Sequence, residues 1–470
     1  MEFKEVKAKL WGIFQKGKES GGEFAWVTIG QVVAVLGGLV GVRMLTELMS
    51  PEAYGELALG MTIATLFQQI SFGPFGQATL RFYPPAREKN SVLDLEQDAL
   101  QIGKLLATIL VAVVAFVTGG LWISGRPDWA TLFLIAFFFS LFQGVNNVVN
   151  GIQNAARYRI VVAWHKGAFE WLRFLVAAGL IWLLTGESWV ALTGYVFAAA
   201  IICVSQFVLY WRKIRQPAVQ RERAADVHSA EVECAVGNAG GGEMSVEERD
   251  DGPENRDQDW GRRLWDYGSP FAIWGIFTWV HIASDRWALQ AFSGQKAVGL
   301  YAVLYQLGFY PLTFVSSIVS KFISPILYEK AGDASSEERV RSAYKLNYWI
   351  TGGTVLATVA ATGGAYLLHP IVFQIFVGEE YRAASDLLPY MTLAGGLYAT
   401  SQVVGLLLMS RAESKRLIVP KVATALIGGG LNVAGSYWYG VEGVILGLIA
   451  FSLINIAWTL SVSEIRGVHD

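Results

Sequence analysis

Charge is scarce in this chain. Only 16% of its 470 residues are charged, 53% are hydrophobic, and the mean hydropathy is +0.39. No single water-soluble core of this length accommodates that balance, so a soluble globule is excluded and lipid must serve as solvent. Cysteine is almost absent. Cys203 in an apolar run and Cys234 in a polar one give neither a disulfide framework nor metal-ligand spacing. The chain also lacks a P-loop, a metal cluster and a nucleophile elbow, so no bound nucleotide or cofactor is expected to power it. A metal-dependent membrane glycosyltransferase would want paired carboxylates in an outer loop, and the first outer loop offers only Glu47 and Glu52. A polysaccharide polymerase or ligase would want a large external loop, and the one large loop here is read as cytoplasmic. The expectation is a protein that is not an enzyme.

What is abundant is the long apolar run. A helix crossing the hydrocarbon needs about 20 residues, and such runs lie near 24–49, 56–80, 99–123, 129–152, 161–184 and 189–211, then near 265–291, 298–325, 344–368, 384–409, 417–439 and 441–463. Pro311 and Pro325 are expected to kink or end the eighth. The first run, from Phe24 to Leu39, continues through Val42 and Leu45 without a small-residue cleavage site, and reads as a span rather than a cleaved signal. Residues 1–20, with Phe3, Val6, Leu10 and Phe14 at helical spacing among lysines, suit a cytoplasmic helix lying in the interface.

Positive juxtamembrane residues stay inside. With both termini inside, 31 of the 37 basic residues fall in the tails and even-numbered loops or at the span ends that adjoin them, and Arg43, Arg126, Arg286, Lys296 and Arg382 fall on the outer side. The remaining one, Arg173, lies near the middle of its span. Residues 214–262 are polar, acidic in their second part and nearly free of aromatics, as expected of a disordered cytoplasmic linker. The chain is thus expected to be all-α, a polytopic membrane protein of about twelve spans in two six-helix bundles, 21–213 and 263–470.

Polar residues inside spans are costly, about 2.5 to 3.5 kcal/mol for a charge at the centre, so they face a cavity or a partner. Lys166, Glu170 and Arg173 share one face of the fifth span. They either line a cavity, where two cations around one carboxylate leave positive charge for a phosphate, or form a local ion pair that locks packing. Gln143, Asn146, Asn147, Asn150 and Asn154 form a stripe on the fourth. Amides suit sugar hydroxyls, and they equally join transmembrane helices. Trp274, Thr278, His281 and Asp285 share a face of the seventh, with Arg286 adjacent. Asp285 and Arg286 read as an outer gate, a proton-sensitive site or a static helix cap; His281 as a packing residue or a proton carrier; Arg43 as a snorkelling cation or a gate residue.

The stretch RMLTELMSPEAYGELALGMTIATLFQQISFGPFGQATLRF, Arg43 to Phe82, carries the strongest local signal. Its Ser50-Pro51, Tyr54-Gly55, glycine-rich Gly73 to Gly76 (read as a turn) and Arg81-Phe82 resemble the N-terminal signature of bacterial oligosaccharide flippases, of the multidrug/oligosaccharidyl-lipid/polysaccharide exporter superfamily. Asp285-Arg286, then Val298-Gly299-Leu300-Tyr301, is similar to that family's seventh and eighth helices, and pairing Gly55 with Gly299 gives an internal offset of 244 residues. Gly378-Glu379-Glu380-Tyr381 and Gly440 to Gly447 also resemble the family. The resemblance implies two bundles around a central cavity, and a flippase moving a polyprenyl-(pyro)phosphate-linked oligosaccharide across the cytoplasmic membrane by alternating access. On that reading Lys166, Glu170, Arg173, Gln143, Asn146, Asn147 and Asn150 line the cavity, and Arg43, His281, Asp285 and Arg286 serve gating or coupling. A multidrug exporter of the same superfamily and a non-transporting scaffold of a glycan-synthesis complex are the alternatives. Expected partners are the lipid-linked oligosaccharide, membrane lipids and a polysaccharide polymerase or other glycan-assembly protein; no nucleic acid and a monomeric state are expected.

Overall fold

The structure is a computed structural model that describes residues 20–89, 91–156, 158–217, 219–220, 259–331, 337–410 and 418–464. Apart from Ser20 the interfacial helix expected at 1–20 lies outside these residues, as does most of the linker expected at 214–262. Among the described residues every regular element is helical. In chain order they are α1 (Ser20–Leu48), α2 (Pro51–Phe67), α3 (Gly73–Glu88), α4 (Val92–Ile123), α5 (Pro127–Ala155), α6 (Arg159–Leu183), α7 (Ser188–Tyr210), α8 (Trp260–Phe292), α9 (Gly294–Leu304), α10 (Tyr310–Ala331), α11 (Glu337–Phe376), α12 (Leu388–Ser410) and α13 (Ile418–Glu464).

Joined across π turns at Gln68–Phe72 and Tyr305–Phe309, and divided at Gly440, these helices make about twelve rods. Gly440 has φ 57°, a left-handed conformation that glycine adopts without steric cost, and it separates the last two rods. Among the described residues seven segments are long and apolar enough to cross a membrane. α6 is not among them, because every stretch of spanning length within it contains Lys166, Glu170 and Arg173.

These two π turns, like a third at Trp211–Arg215 before Pro217, precede a proline by two residues, Pro74 and Pro311. Proline has no N–H to donate and its ring crowds the carbonyl four residues back; widening the ladder by one residue relieves both. This corrects two expectations. There is no turn at Gly73 to Gly76, since the helix resumes at Gly73 and runs to Glu88 with Pro84 and Pro85 inside it. Pro325 does not end its helix either, which continues to Ala331. At the start of α2, Ser50 accepts the backbone N–H of Ala53 at 3.3 Å and Pro51 is the first helical residue, a favourable start signal.

The chain forms two compact units, one from residues 1–34, 64–172 and 196–275, the other from 35–63, 173–195 and 276–470. In the first, Trp260 and Leu264 of α8 are buried among Tyr83, Val92, Leu95, Ile152, Tyr210 and Ile214. Glu96 accepts the Tyr210 hydroxyl and pairs with Arg215 at 3.2 Å, while Asp98 accepts the Gly261 amide at 2.9 Å. In the second, α12 packs between α11 and α13, Asn347 donates to the Val403 carbonyl at 2.9 Å, and Tyr301, Phe373 and Tyr381 are fully buried.

Candidate functional site

The second unit gathers ionic and aromatic side chains that the sequence placed on separate spans. Asp285, 3% exposed, accepts the Arg286 backbone amide at 2.7 Å on one carboxylate oxygen and the Tyr301 hydroxyl on the other. The Arg286 guanidinium lies 3.7 Å from Asp285, donates to the Ile282 carbonyl at 3.3 Å, and stands 4.8 Å from the Tyr305 ring centroid. Tyr305 stacks on Phe309 at 4.6 Å, so the π turn that carries both rings also braces the cation. Arg173 lies over Phe174 at 4.5 Å and Tyr195 at 5.4 Å. Phe174 can reach that position because Gly41 of α1 has no side chain where the ring lies. Tyr54 is within electrostatic reach of both Arg173 and Arg286. Two guanidiniums and the Asp285 carboxylate are thus set among tyrosines that offer ring faces and hydroxyls.

Beside this cluster α2 and α9 cross at two glycines. A Cβ on Gly55 would collide with the Gln295 carbonyl oxygen, and one on Gly299 with that of Pro51. Gln295 is Pro51 plus 244 and Gly299 is Gly55 plus 244, so each glycine meets the repeat equivalent of the other's partner. Such reciprocity is what a local two-fold axis produces. Gly55 lies inside α2, where it permits close helix approach. Glu56 then accepts Gln295 Nε2 at 2.6 Å and Ser188 Oγ at 2.7 Å.

Arg43 pairs with Glu47 and donates to the Val377 carbonyl and, at 3.2 Å, to that of Gln374. These carbonyls end α11, where a cation is favoured by the helix dipole and unpaired acceptors. The Gly378 amide donates to Thr46 at 2.9 Å and the Tyr381 hydroxyl to the Met49 carbonyl at 3.0 Å. Burial, with Tyr54 and Glu380 nearby, pushes the Tyr381 hydroxyl well above its ordinary value, so it stays protonated and donates. His281 packs 4.4 Å from Phe451 and 6.2 Å from Tyr398, its Nδ1 buried with no hydrogen-bond partner among the described residues.

In the first unit the α5 stripe divides. Asn146 is 3% exposed and donates to Gln143 and to the Ala199 carbonyl of α7, both at 3.3 Å. Asn150 is buried, Asn147 is exposed, and Asn154 lies between. Gln153 and Gln206, which the sequence reading passed over, are more deeply buried than either asparagine. On α6, Lys166 is exposed and Glu170 half-buried. Tyr301 and Tyr305 were missed as site residues. Their spacing of four, directly after the Val298-Gly299-Leu300 motif, would have placed both on one helix face.

Residues 21–229 match the family described as polysaccharide biosynthesis protein. A putative O-antigen export protein of Yersinia pseudotuberculosis is 25% identical over 138 residues, 29% of this chain and 32% of that one, so the chain spans about a third of that curated relative. Among solved structures, lipid II flippase MurJ in an inward closed conformation matches with TM-score 0.65 at 12% identity, over 93% of this chain and 87% of that one. A multidrug resistance transporter of the MATE family, inward-facing, matches with TM-score 0.63 at 12% identity over 94% and 96%. The likeness to these two transporters is one of fold, that of a multi-pass helical membrane protein.

Proposed function

We propose that this protein is a flippase of the multidrug/oligosaccharidyl-lipid/polysaccharide exporter superfamily, not an enzyme, that carries a polyprenyl-(pyro)phosphate-linked oligosaccharide across the bacterial cytoplasmic membrane, with both termini inside and two six-helix halves rocking about the substrate. The observation that carries the reading is Arg173, a guanidinium on α6 that lies against the Phe174 and Tyr195 rings in the same unit as Asp285 and Arg286. A pyrophosphate group supplies the counter-charge, and a guanidinium's planar fork binds it through paired charge-assisted hydrogen bonds. On the same helix Lys166 is a further cation beside the Glu170 carboxylate, and Gln143 and Asn147 offer amides to sugar hydroxyls. The contacts of Arg43, Thr46 and Tyr381, with the glycine crossing, act as the outer gate that opens to release the glycan, where a polymerase receives it.

A multidrug exporter is the second reading, favoured by the likeness to the MATE transporter. Cationic drugs would want a net acidic site, whereas two of the three ionic residues Arg173, Asp285 and Arg286 are cations. Expression in a strain lacking its own O-antigen flippase separates the readings. Restored surface glycan with unchanged drug susceptibility supports the flippase. Raised tolerance of cationic drugs with no glycan overturns it.

A further inference from the structure

Among the described residues, α11 presents one face that no neighbouring helix covers. Trp349 is 70% exposed, Leu356 70% and Val359 62%, and Cβ atoms built on Gly352 and Gly353 would meet nothing within 4 Å. A groove of about 610 Å³ lies on this face, lined by Arg341, Tyr344, Lys345, Tyr348, Trp349 and Gly352. These residues follow at spacings of three, four, seven, eight and eleven from Arg341, a single stripe along the helix. Both cations are at the end of the stripe that the basic asymmetry places at the cytoplasmic interface, with aromatic walls next and a glycine notch beyond. Juxtamembrane cations spread around a helix would satisfy the positive-inside rule alone; here two converge on one groove.

We propose that this groove binds one anionic phospholipid of the bilayer, its phosphate between Arg341 and Lys345 and an acyl chain passing Tyr348 and Trp349 into the space left by Gly352. Charge complementarity selects an anionic headgroup over a zwitterionic one. Length selects a phospholipid. From Lys345 to Gly352 the helix rises about 10 Å, within the half-thickness of about 15 Å that one leaflet offers a chain. A polyprenyl carrier would extend far past the lining residues. The site is independent of the transported substrate, and bound lipid would fix α11 against the membrane.

Native mass spectrometry of the delipidated full-length protein in detergent tests it, with dioleoyl-phosphatidylglycerol, dioleoyl-phosphatidylcholine or undecaprenyl phosphate added. Phosphatidylglycerol should remain bound in preference to phosphatidylcholine. Affinity should fall about tenfold or more in Arg341→Gln with Lys345→Gln, the scale expected for two interfacial cations, and should survive the charge-preserving exchange Arg341→Lys with Lys345→Arg. Gly352→Leu should also weaken binding while both cations remain, which separates the groove from a mere surface charge. Equal retention of the two phospholipids, no change in the double glutamine variant, or preferential binding of undecaprenyl phosphate would each overturn the assignment.

Discussion

Two groups of intramembrane polar residues invite comparison. The amides of α5 are uncharged, and the buried one with recorded partners, Asn146, bonds to Gln143 on its own helix and to a backbone carbonyl of α7. Asp285 is buried too, but it carries a full charge and pairs with the Arg286 guanidinium at 3.7 Å. Polar groups that end in neutral, local hydrogen bonds join helices, whereas charged groups within a span face a cavity or a partner. On the proposed function the deeper part of the α5 stripe is structural and the cluster of Arg173, Asp285 and Arg286 recognises the substrate.

The largest break of the contrast is Arg286→Ala. It strips the cation from a carboxylate that is 3% exposed, and leaving one partner of a buried pair behind costs about 3 to 5 kcal/mol. Protein in the membrane fraction should fall sharply, and Asp285→Asn in the same chain should restore much of it. Unchanged abundance in the single variant would show that Asp285 finds water.

Gly299→Leu should remove export almost completely while the protein still inserts, because a side chain there meets the Pro51 carbonyl backbone rather than a movable group. Gly55→Leu should do the same from the other repeat, and Gly352→Leu should leave export intact. Surface glycan measured at matched membrane abundance checks all three.

Smaller effects sharpen the line between glue and site. Tyr301→Phe removes the hydroxyl that Asp285 accepts and should lower thermal stability by about 1 to 3 kcal/mol, the cost of an unsatisfied buried acceptor. Asn146→Leu should reduce membrane abundance modestly and export only in proportion. Exposed Asn147→Ala should change stability by no more than about 0.5 kcal/mol, and any loss of export it causes is assignable to substrate.

The spans were legible in the sequence because hydrocarbon thickness imposes a length on every apolar run, and the break at Gly440 showed as a gap between the last two. The repeat was legible through Gly55 and Gly299, whose offset reappears as a reciprocal contact. What those glycines do was not legible. A glycine beside Ser-Pro reads equally as a turn or as a close approach, and only the carbonyl oxygens of Pro51 and Gln295 decide. Tyr301 and Tyr305 escaped for a related reason, since a tyrosine in an apolar run resembles an interfacial anchor until its hydroxyl or ring meets Asp285 or Arg286. The π turns were hidden because Pro74 and Pro311 predict a disturbed ladder, not the form the relief takes.

The central claim is that Arg173 binds the phosphate of a lipid-linked glycan rather than neutralising Glu170, and surface glycan measured at matched membrane abundance in an Arg173 series tests it most directly. The account predicts normal abundance with export lost in Arg173→Ala and Arg173→Glu, partial export in Arg173→Lys, which keeps the charge without the planar fork, and no rescue when Glu170→Gln is added to Arg173→Ala. If Arg173→Ala lowers abundance and Glu170→Gln restores both abundance and export, Arg173 is a packing ion and the claim is contradicted.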